Sequence, residues 1–143
     1  MLTGKRIVHV LRGKGYKLTP ARRYLIEVIA GSNTHLTPAE IFEKAGGKDS
    51  GVSLVTIYRT LEMLSRLGLI CEVHSEGHAR SYLLSRPPGH HHHLVCSECG
   101  AVLDFTGCDL ETLEKKLSRE TGFHIDSHLL EFSGKCRECQ KKV

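Results

Sequence analysis

Ser53-Leu-Val-Thr-Ile-Tyr-Arg-Thr-Leu-Glu-Met-Leu-Ser-Arg-Leu-Gly68 is the stretch on which the fold turns. Leu54, Ile57, Leu61, Leu64 and Leu67 recur at helical spacing on one face, while Thr56, Arg59, Thr60, Met63 and Arg66 lie away from it. Gly68 ends the run. Two extended segments follow, 69–73 and 80–84, around the turn-forming Ser75-Glu76-Gly77, which predicts a hairpin. Upstream, Ile7, Val8 and Leu11 mark a short basic helix that ends near Gly13 and Gly15. Thr19 is placed to cap a second helix with Pro20 at its first position and Ala21, Leu25, Val28 and Ile29 as its stripe. Thr37-Pro38-Ala39-Glu40 is a capping box for a third, which closes at Gly46-Gly47. Helices followed by a two-stranded hairpin are the order of a winged helix-turn-helix. That arrangement puts helix 53–67 in a DNA major groove and the hairpin against the backbone beside it.

The chain has 143 residues, room for one ordinary domain or two small ones, which excludes large catalytic barrels. Forty per cent of the residues are apolar, so a buried core is within reach. The net charge of +4 hides an asymmetry: residues 1–70 carry 11 Lys+Arg against 5 Asp+Glu, and the remainder 9 against 11. Two histidines fall in the front part and eight in the back. A positive front meets an anion, and a histidine-rich back suits metal. No apolar run approaches the roughly 18 residues of a membrane span, and Lys5, Arg6, Arg12, Lys14 and Lys17 break up the N-terminus, so a cytoplasmic location is expected.

Arg86-Pro87-Pro88-Gly89 is the expected boundary, because paired prolines stay extended. The predicted organisation is a DNA-binding domain over 1–85, a hinge at 86–89 and a second domain over 90–143. In the latter, 90–95, 101–105 and 123–132 read as strands. Asp109 is placed to cap a helix carrying Leu110, Leu113 and Leu117, making the chain α+β.

Cys96-Ser-Glu-Cys99 and Cys136-Arg-Glu-Cys139 form two knuckles of soft thiolates in a chain without an export signal, which predicts structural tetrahedral zinc rather than disulfides. Thirty-six residues separate Cys99 from Cys136, so the ion would clip the domain to its own end. With four thiolates filling the site, catalysis there is not expected. In a strand, His91 and His93 face one side and His90 and His92 the other, each pair offering half of a metal site. Cys108 reads as packing.

Lys17-Leu-Thr-Pro-Ala-Arg22, Thr56-Ile-Tyr-Arg-Thr-Leu61, the histidine run, both knuckles and Gly122-Phe-His-Ile-Asp-Ser-His128 occur in an order and spacing that resemble the ferric uptake regulator superfamily of metal-responsive repressors. The resemblance implies a winged-helix DNA-binding domain followed by a small α/β dimerisation domain with a four-cysteine zinc site. It also implies a sensor site from His35, His91, His93 and Asp104, and a third site from His90, His92, Glu111 and His128. Leu83 stands where iron- and peroxide-sensing relatives carry an acid, and Ser85 where zinc-sensing relatives carry cysteine. Cys71 falls where the latter place an aspartate ligand, and it reads equally as a sensor ligand or as a core residue under the hairpin. Asp104, rather than glutamate, is a feature of the peroxide-sensing branch.

A thiolate from Cys71 would favour Zn2+ as the regulatory metal, whereas the histidines and Asp104 alone suit Fe2+, Mn2+ or Zn2+. Lys17, Arg22, Thr56, Tyr58 and Arg59 are the candidate DNA contacts, with Arg59 able to fork onto a guanine or a phosphate. Lys5, Arg6 and Lys14 add phosphate attraction. The expectation is a non-enzymatic regulator, a homodimer on double-stranded operator DNA, with no membrane and no small organic substrate as partner. Zinc is favoured as the sensed metal over iron or peroxide. The competing class is a metal-dependent hydrolase or nuclease built on the histidine cluster, against which stands the lack of a spare general base.

Overall fold

Ile7 and Leu11 lie one helical turn apart and are fully buried on α1 (Gly4–Gly13). Three hydroxyls then open three helices. Thr19 Oγ1 accepts the Arg22 N–H at 3.3 Å and starts α2 (Pro20–Ala30). Thr37 Oγ1 accepts the Glu40 N–H while Glu40 accepts the Thr37 N–H at 2.7 Å, the reciprocal box at the head of α3 (Pro38–Lys44). A 3-10 turn (Gly47–Ser50) precedes Ser53, whose Oγ takes the Thr56 N–H at the start of α4 (Leu54–Arg66). Each cap satisfies an amide that the first helical turn leaves without a partner.

The structure is a computed structural model and describes residues 3–74, 77–84 and 90–142. It divides into two compact units, Met1–Pro87 and Pro88–Val143. The expected hinge at 86–89, Ser85 and the Ser75-Glu76 turn lie outside the described residues.

In the first unit, Gly68 adopts φ 65°, a left-handed conformation open to glycine, and turns the chain from α4 into β1 (Ile70–Val73). β1 pairs antiparallel with β2 (Ser81–Leu84), setting Cys71 opposite Leu83 and Glu72 opposite Tyr82. Leu36 exchanges both backbone hydrogen bonds with Tyr82 at 2.8 Å and adds a one-residue rung to the hairpin, which the sequence did not signal. The core gathers Leu25, Ile26 and Ile29 of α2, Ile41 of α3 and Ile57, Leu61 and Leu64 of α4. This is the winged helix expected. The face of α4 differs in detail, since Thr60 is 0% exposed and Met63 is buried, whereas Leu54 is 46% exposed. α4 packs on α2, α3 and β1 at once, so its buried arc is wider than the leucine stripe. Thr60 tolerates burial because its hydroxyl donates to the Thr56 carbonyl at 2.7 Å.

The second unit is a three-stranded sheet. β3 (His92–Cys96) lies between antiparallel β4 (Val102–Phe105) and parallel β5 (Glu131–Gly134), with α5 (Glu111–Thr121) joining β4 to β5 and α6 (Arg137–Gln140) at the end. Two expectations are corrected here. Residues 123–130 are not strand: β3 begins at His92 and its parallel register pairs His93 with Glu131, so residues before 130 have no β3 residue opposite them. Asp109 is not the cap of α5, whose N-cap position is Leu110 with no side-chain hydrogen bond. Among the described residues, no helix is long and apolar enough to cross a membrane.

Burial differs between the units. The second unit buries His92, His93, Val95, Cys96 and Cys139, and no residue of α5 is buried. An apolar core this small does not offset the entropy of ordering the chain, so the unit depends on cross-links or a partner for stability.

Candidate metal centres and nucleic-acid interface

Cys96 ends β3, and the Gly100 N–H returns to its carbonyl at 2.9 Å, closing the first knuckle around Gly100 at φ 73°. Cys136 opens α6 and Cys139 lies within it, forming the second knuckle. The Ser97 N–H donates to the Gly134 carbonyl at 2.8 Å and the Cys136 N–H donates to Cys96 Sγ at 3.4 Å, tying the knuckles together. All four sulfurs lie within 4.8 Å of one another, and Cys99 Sγ and Cys136 Sγ are 3.8 Å apart. Zn–S bonds of about 2.3 Å in a tetrahedron separate sulfurs by about 3.8 Å, so the residues fit zinc. N–H groups of Cys136, Cys99 and Glu98 hold the Cys96 thiol down at about 6. The hydrogen bond with Cys136, and then burial, push Cys139 up to about 12. Cys139 thus keeps its proton unless a bound cation favours the thiolate.

The register of β3 divides the histidine run. Asp104, His93 and Glu131 form a row across β4, β3 and β5, and Leu103, Leu94 and Phe132 form the next row, facing the opposite side. His93 Nε2 lies 3.5 Å from Asp104 Oδ1, and His93 Nδ1 lies 3.7 Å from Glu131 Oε1. The His91 ring lies 5.2 Å from that of His93, centroid to centroid. His91, His93 and Asp104 are therefore brought together as expected. Glu131 is an acid that neither the spacing nor the resemblance singled out, lying near the end of what read as a long strand over 123–132. In the first unit, His35 immediately precedes the Leu36 rung, and Cys71 is half-buried on β1.

On the other face, His90, His92 and His128 converge with Cys108, their ligand atoms within 4.8 Å of one another. His128 Nε2 is 3.4 Å from His92 Nε2 and 3.3 Å from Cys108 Sγ. Burial pushes the His92 imidazole below its ordinary range, and His90, His128 and His91 lower it further, which leaves a neutral nitrogen suited to a metal. Glu111, expected in this set, accepts a hydrogen bond from Lys115 at 2.6 Å on the exposed side of α5, and that bond lowers its pKa. Three residues on, Glu114 faces inward and bonds His128 Nδ1 at 2.6 Å. Cys108, read as packing, sits in the cluster instead.

On the first unit, Tyr58 and Arg59 are exposed on α4, together with Leu54 and Val55 of its first turn. Those two apolar residues add a surface suited to thymine methyls that the sequence reading had placed in, or left out of, the core stripe. Thr56 is half-buried: its N–H donates to Ser53 and its carbonyl accepts from Thr60. Arg22 Nη1, in the first turn of α2, donates to the Lys17 carbonyl at 3.1 Å, which joins the two candidate contacts into one basic corner.

Residues 13–133 match the model of the ferric uptake regulator family. The chain belongs to that family. As a member it is a metal-responsive transcriptional regulator. Among ferric uptake regulator relatives, the ferric uptake regulation protein of Bacillus subtilis is 36% identical over 140 residues, 96% of this chain and 94% of its own length. The peroxide operon regulator of the same organism is 30% identical over 139 residues, again 96% of this chain and 94% of its own. The structure of the Helicobacter pylori ferric uptake regulator, described as having three functional metal binding sites, superposes with a TM-score of 0.76 at 26% identity, covering 95% of this chain and 90% of that one. The ferric uptake regulator architecture, a DNA-binding domain followed by a dimerisation domain, is that of these two units.

Proposed function

We propose that this regulator is a repressor that holds operator DNA as a homodimer while its sensor site is metal-loaded, and releases it when the site is empty. The observation that carries the reading is the Asp104–His93–Glu131 row, a nitrogen and oxygen donor set in the same chain as a winged helix with exposed Tyr58 and Arg59. The resemblance adds His35, His91 and Cys71 as sensor ligands, drawn from both units, and Cys96, Cys99, Cys136 and Cys139 for structural Zn2+. When bound, the metal supplies a positive centre that these side chains ligate in common. Because the ligands belong to both the reading unit and the dimerising unit, their common engagement would fix the separation of the two recognition helices near one DNA turn, about 34 Å. A few kcal/mol of differential affinity is enough to change operator occupancy by a large factor.

Zinc is favoured over iron or manganese because Cys71 would contribute a thiolate. The homodimer is supported by the apolar surface of the second unit: Leu103 is 63% exposed, Phe123 74% and Leu129 77%, alongside Leu94 and Phe132. So much exposed apolar surface on a small unit marks an interface. A cytoplasmic location belongs to the same reading.

The test starts from protein holding its structural zinc and no other metal. Operator duplex selected by the protein from random sequence is titrated by fluorescence anisotropy with Zn2+, Mn2+ or anaerobic Fe2+ restored in turn. Affinity is expected to rise by roughly 5–150-fold with the sensed metal, and most with Zn2+. Equal affinity with and without every metal would remove the sensor reading, and cleavage of the duplex above a chelator control would favour a nuclease.

A further inference from the structure

We propose that Cys108 supplies a thiolate to a metal site with His90, His92 and His128, giving a three-nitrogen, one-sulfur set that takes zinc in preference to manganese or iron. This deepens the reading of metal binding in the second unit but stands independently of the sensor, since all four side chains belong to residues 90–128.

The geometry is that of a tetrahedral site. Bonds of about 2.0–2.1 Å to nitrogen and 2.3 Å to sulfur separate neighbouring donors by about 3.3–3.6 Å. The observed edges are 3.4 Å for His128 Nε2 to His92 Nε2 and 3.3 Å for His128 Nε2 to Cys108 Sγ. The His90 ring closes the set, with its centroid 4.4 Å from that of His92 and 4.5 Å from that of His128. Glu114 sets the tautomer. A carboxylate only accepts, so the 2.6 Å contact at His128 Nδ1 is an N–H donating to Glu114, and the Nε2 lone pair points into the cluster. Glu111 is held away by Lys115 on the exposed side of α5, so α5 contributes an orienting acid and the loop before it contributes the ligand. On binding, the Cys108 S–H gives its proton to solvent and the sulfur lone pair goes to the cation. Replacing a carboxylate oxygen by a thiolate shifts the site from hard to soft metals.

The experiment uses full-length protein with its structural zinc in place and Co2+ as probe, in Cys108→Ser, in Cys71→Ser, which removes the thiol offered to the sensor, and in the variant carrying both changes. We expect a near-ultraviolet sulfur-to-cobalt charge-transfer band in Cys71→Ser, where the sensor has no thiol to contribute, that is lost when Cys108→Ser is added to it. Zinc competition should show roughly 10–100-fold weaker binding in Cys108→Ser and in Glu114→Gln, with Mn2+ affinity unchanged. In wild type, independently of any variant, zinc should slow alkylation of Cys108 by iodoacetamide at least about tenfold, read by peptide mass spectrometry. A band that survives Cys108→Ser in the Cys71→Ser background, zinc affinity unchanged by Cys108→Ser, or alkylation indifferent to zinc, overturns the proposal. Loss of metal-dependent DNA binding in wild type with the Cys108 band intact would instead sink the sensor reading and leave this one standing.

Discussion

His92 and His93 are neighbours in the chain, yet β3 sends one toward His128 and Cys108 and the other toward Asp104 and Glu131. The alternation was legible from the sequence alone, because side chains in a strand change face at every residue. The partners were not: Cys108 and Glu131 are separated from the run by turns and a helix, and only the register brings them in. The same limit explains Glu111. A helix starting at residue 111 places 111 and 114 about 60° apart, and which of the two faces inward is decided by packing rather than by the sequence pattern. On the DNA side, the exposed Arg59 yields a prediction of this scale. Arg59→Ala should weaken operator binding by about 1–3 kcal/mol, roughly 5–150-fold, and relax base preference, with metal content unchanged. Lys17→Ala should weaken binding to all duplexes alike and reduce the salt slope by about one. Anisotropy titrations at several salt concentrations separate the two, and an Arg59 variant with wild-type affinity would remove that residue from the interface.

At the scale of elements, the helix starts were read correctly where a side chain and an amide three residues on define the start, as at Thr19, Thr37 and Ser53. They were misread where nothing local does so, as at Asp109. The apparent strand at 123–132 shrank to Glu131–Gly134 because alternation says a segment could be a strand, and only a neighbour with free rungs makes it one. The knuckles lie at the other extreme: their spacing was decisive, and the four sulfurs converge. Since few apolar residues of the second unit are buried, its fold rests on that centre. Structural zinc contributes on the order of 10 kcal/mol in small peptides. Cys136→Ser should therefore lower zinc content by one ion per chain and abolish the unfolding transition of the second unit, while the helical first unit still unfolds cooperatively. Elemental analysis and two-probe thermal melts check this, and a variant that keeps wild-type melting and dimer size contradicts the structural role.

For the whole molecule, the sequence's opposed charge and histidine distributions correspond to two units with different means of stability. The first, carrying most of the Lys+Arg excess, has a continuous apolar core from α1 to β2. The second buries His92, His93, Cys96 and Cys139 and leaves Leu103, Leu113, Phe123, Leu129 and Phe132 exposed. Such a division lets metal state change in one unit without unfolding the other, which suits a metal-responsive regulator. The central claim is that sensor occupancy controls operator affinity. It is tested most directly by measuring operator affinity, with and without the sensed metal, for wild type beside His93→Ala and His91→Ala, each checked for retained structural zinc and an unchanged melt. The account predicts at least about a tenfold gain with metal in wild type and no gain in either variant. A folded, zinc-containing His93→Ala that still gains tenfold on metal addition would contradict it.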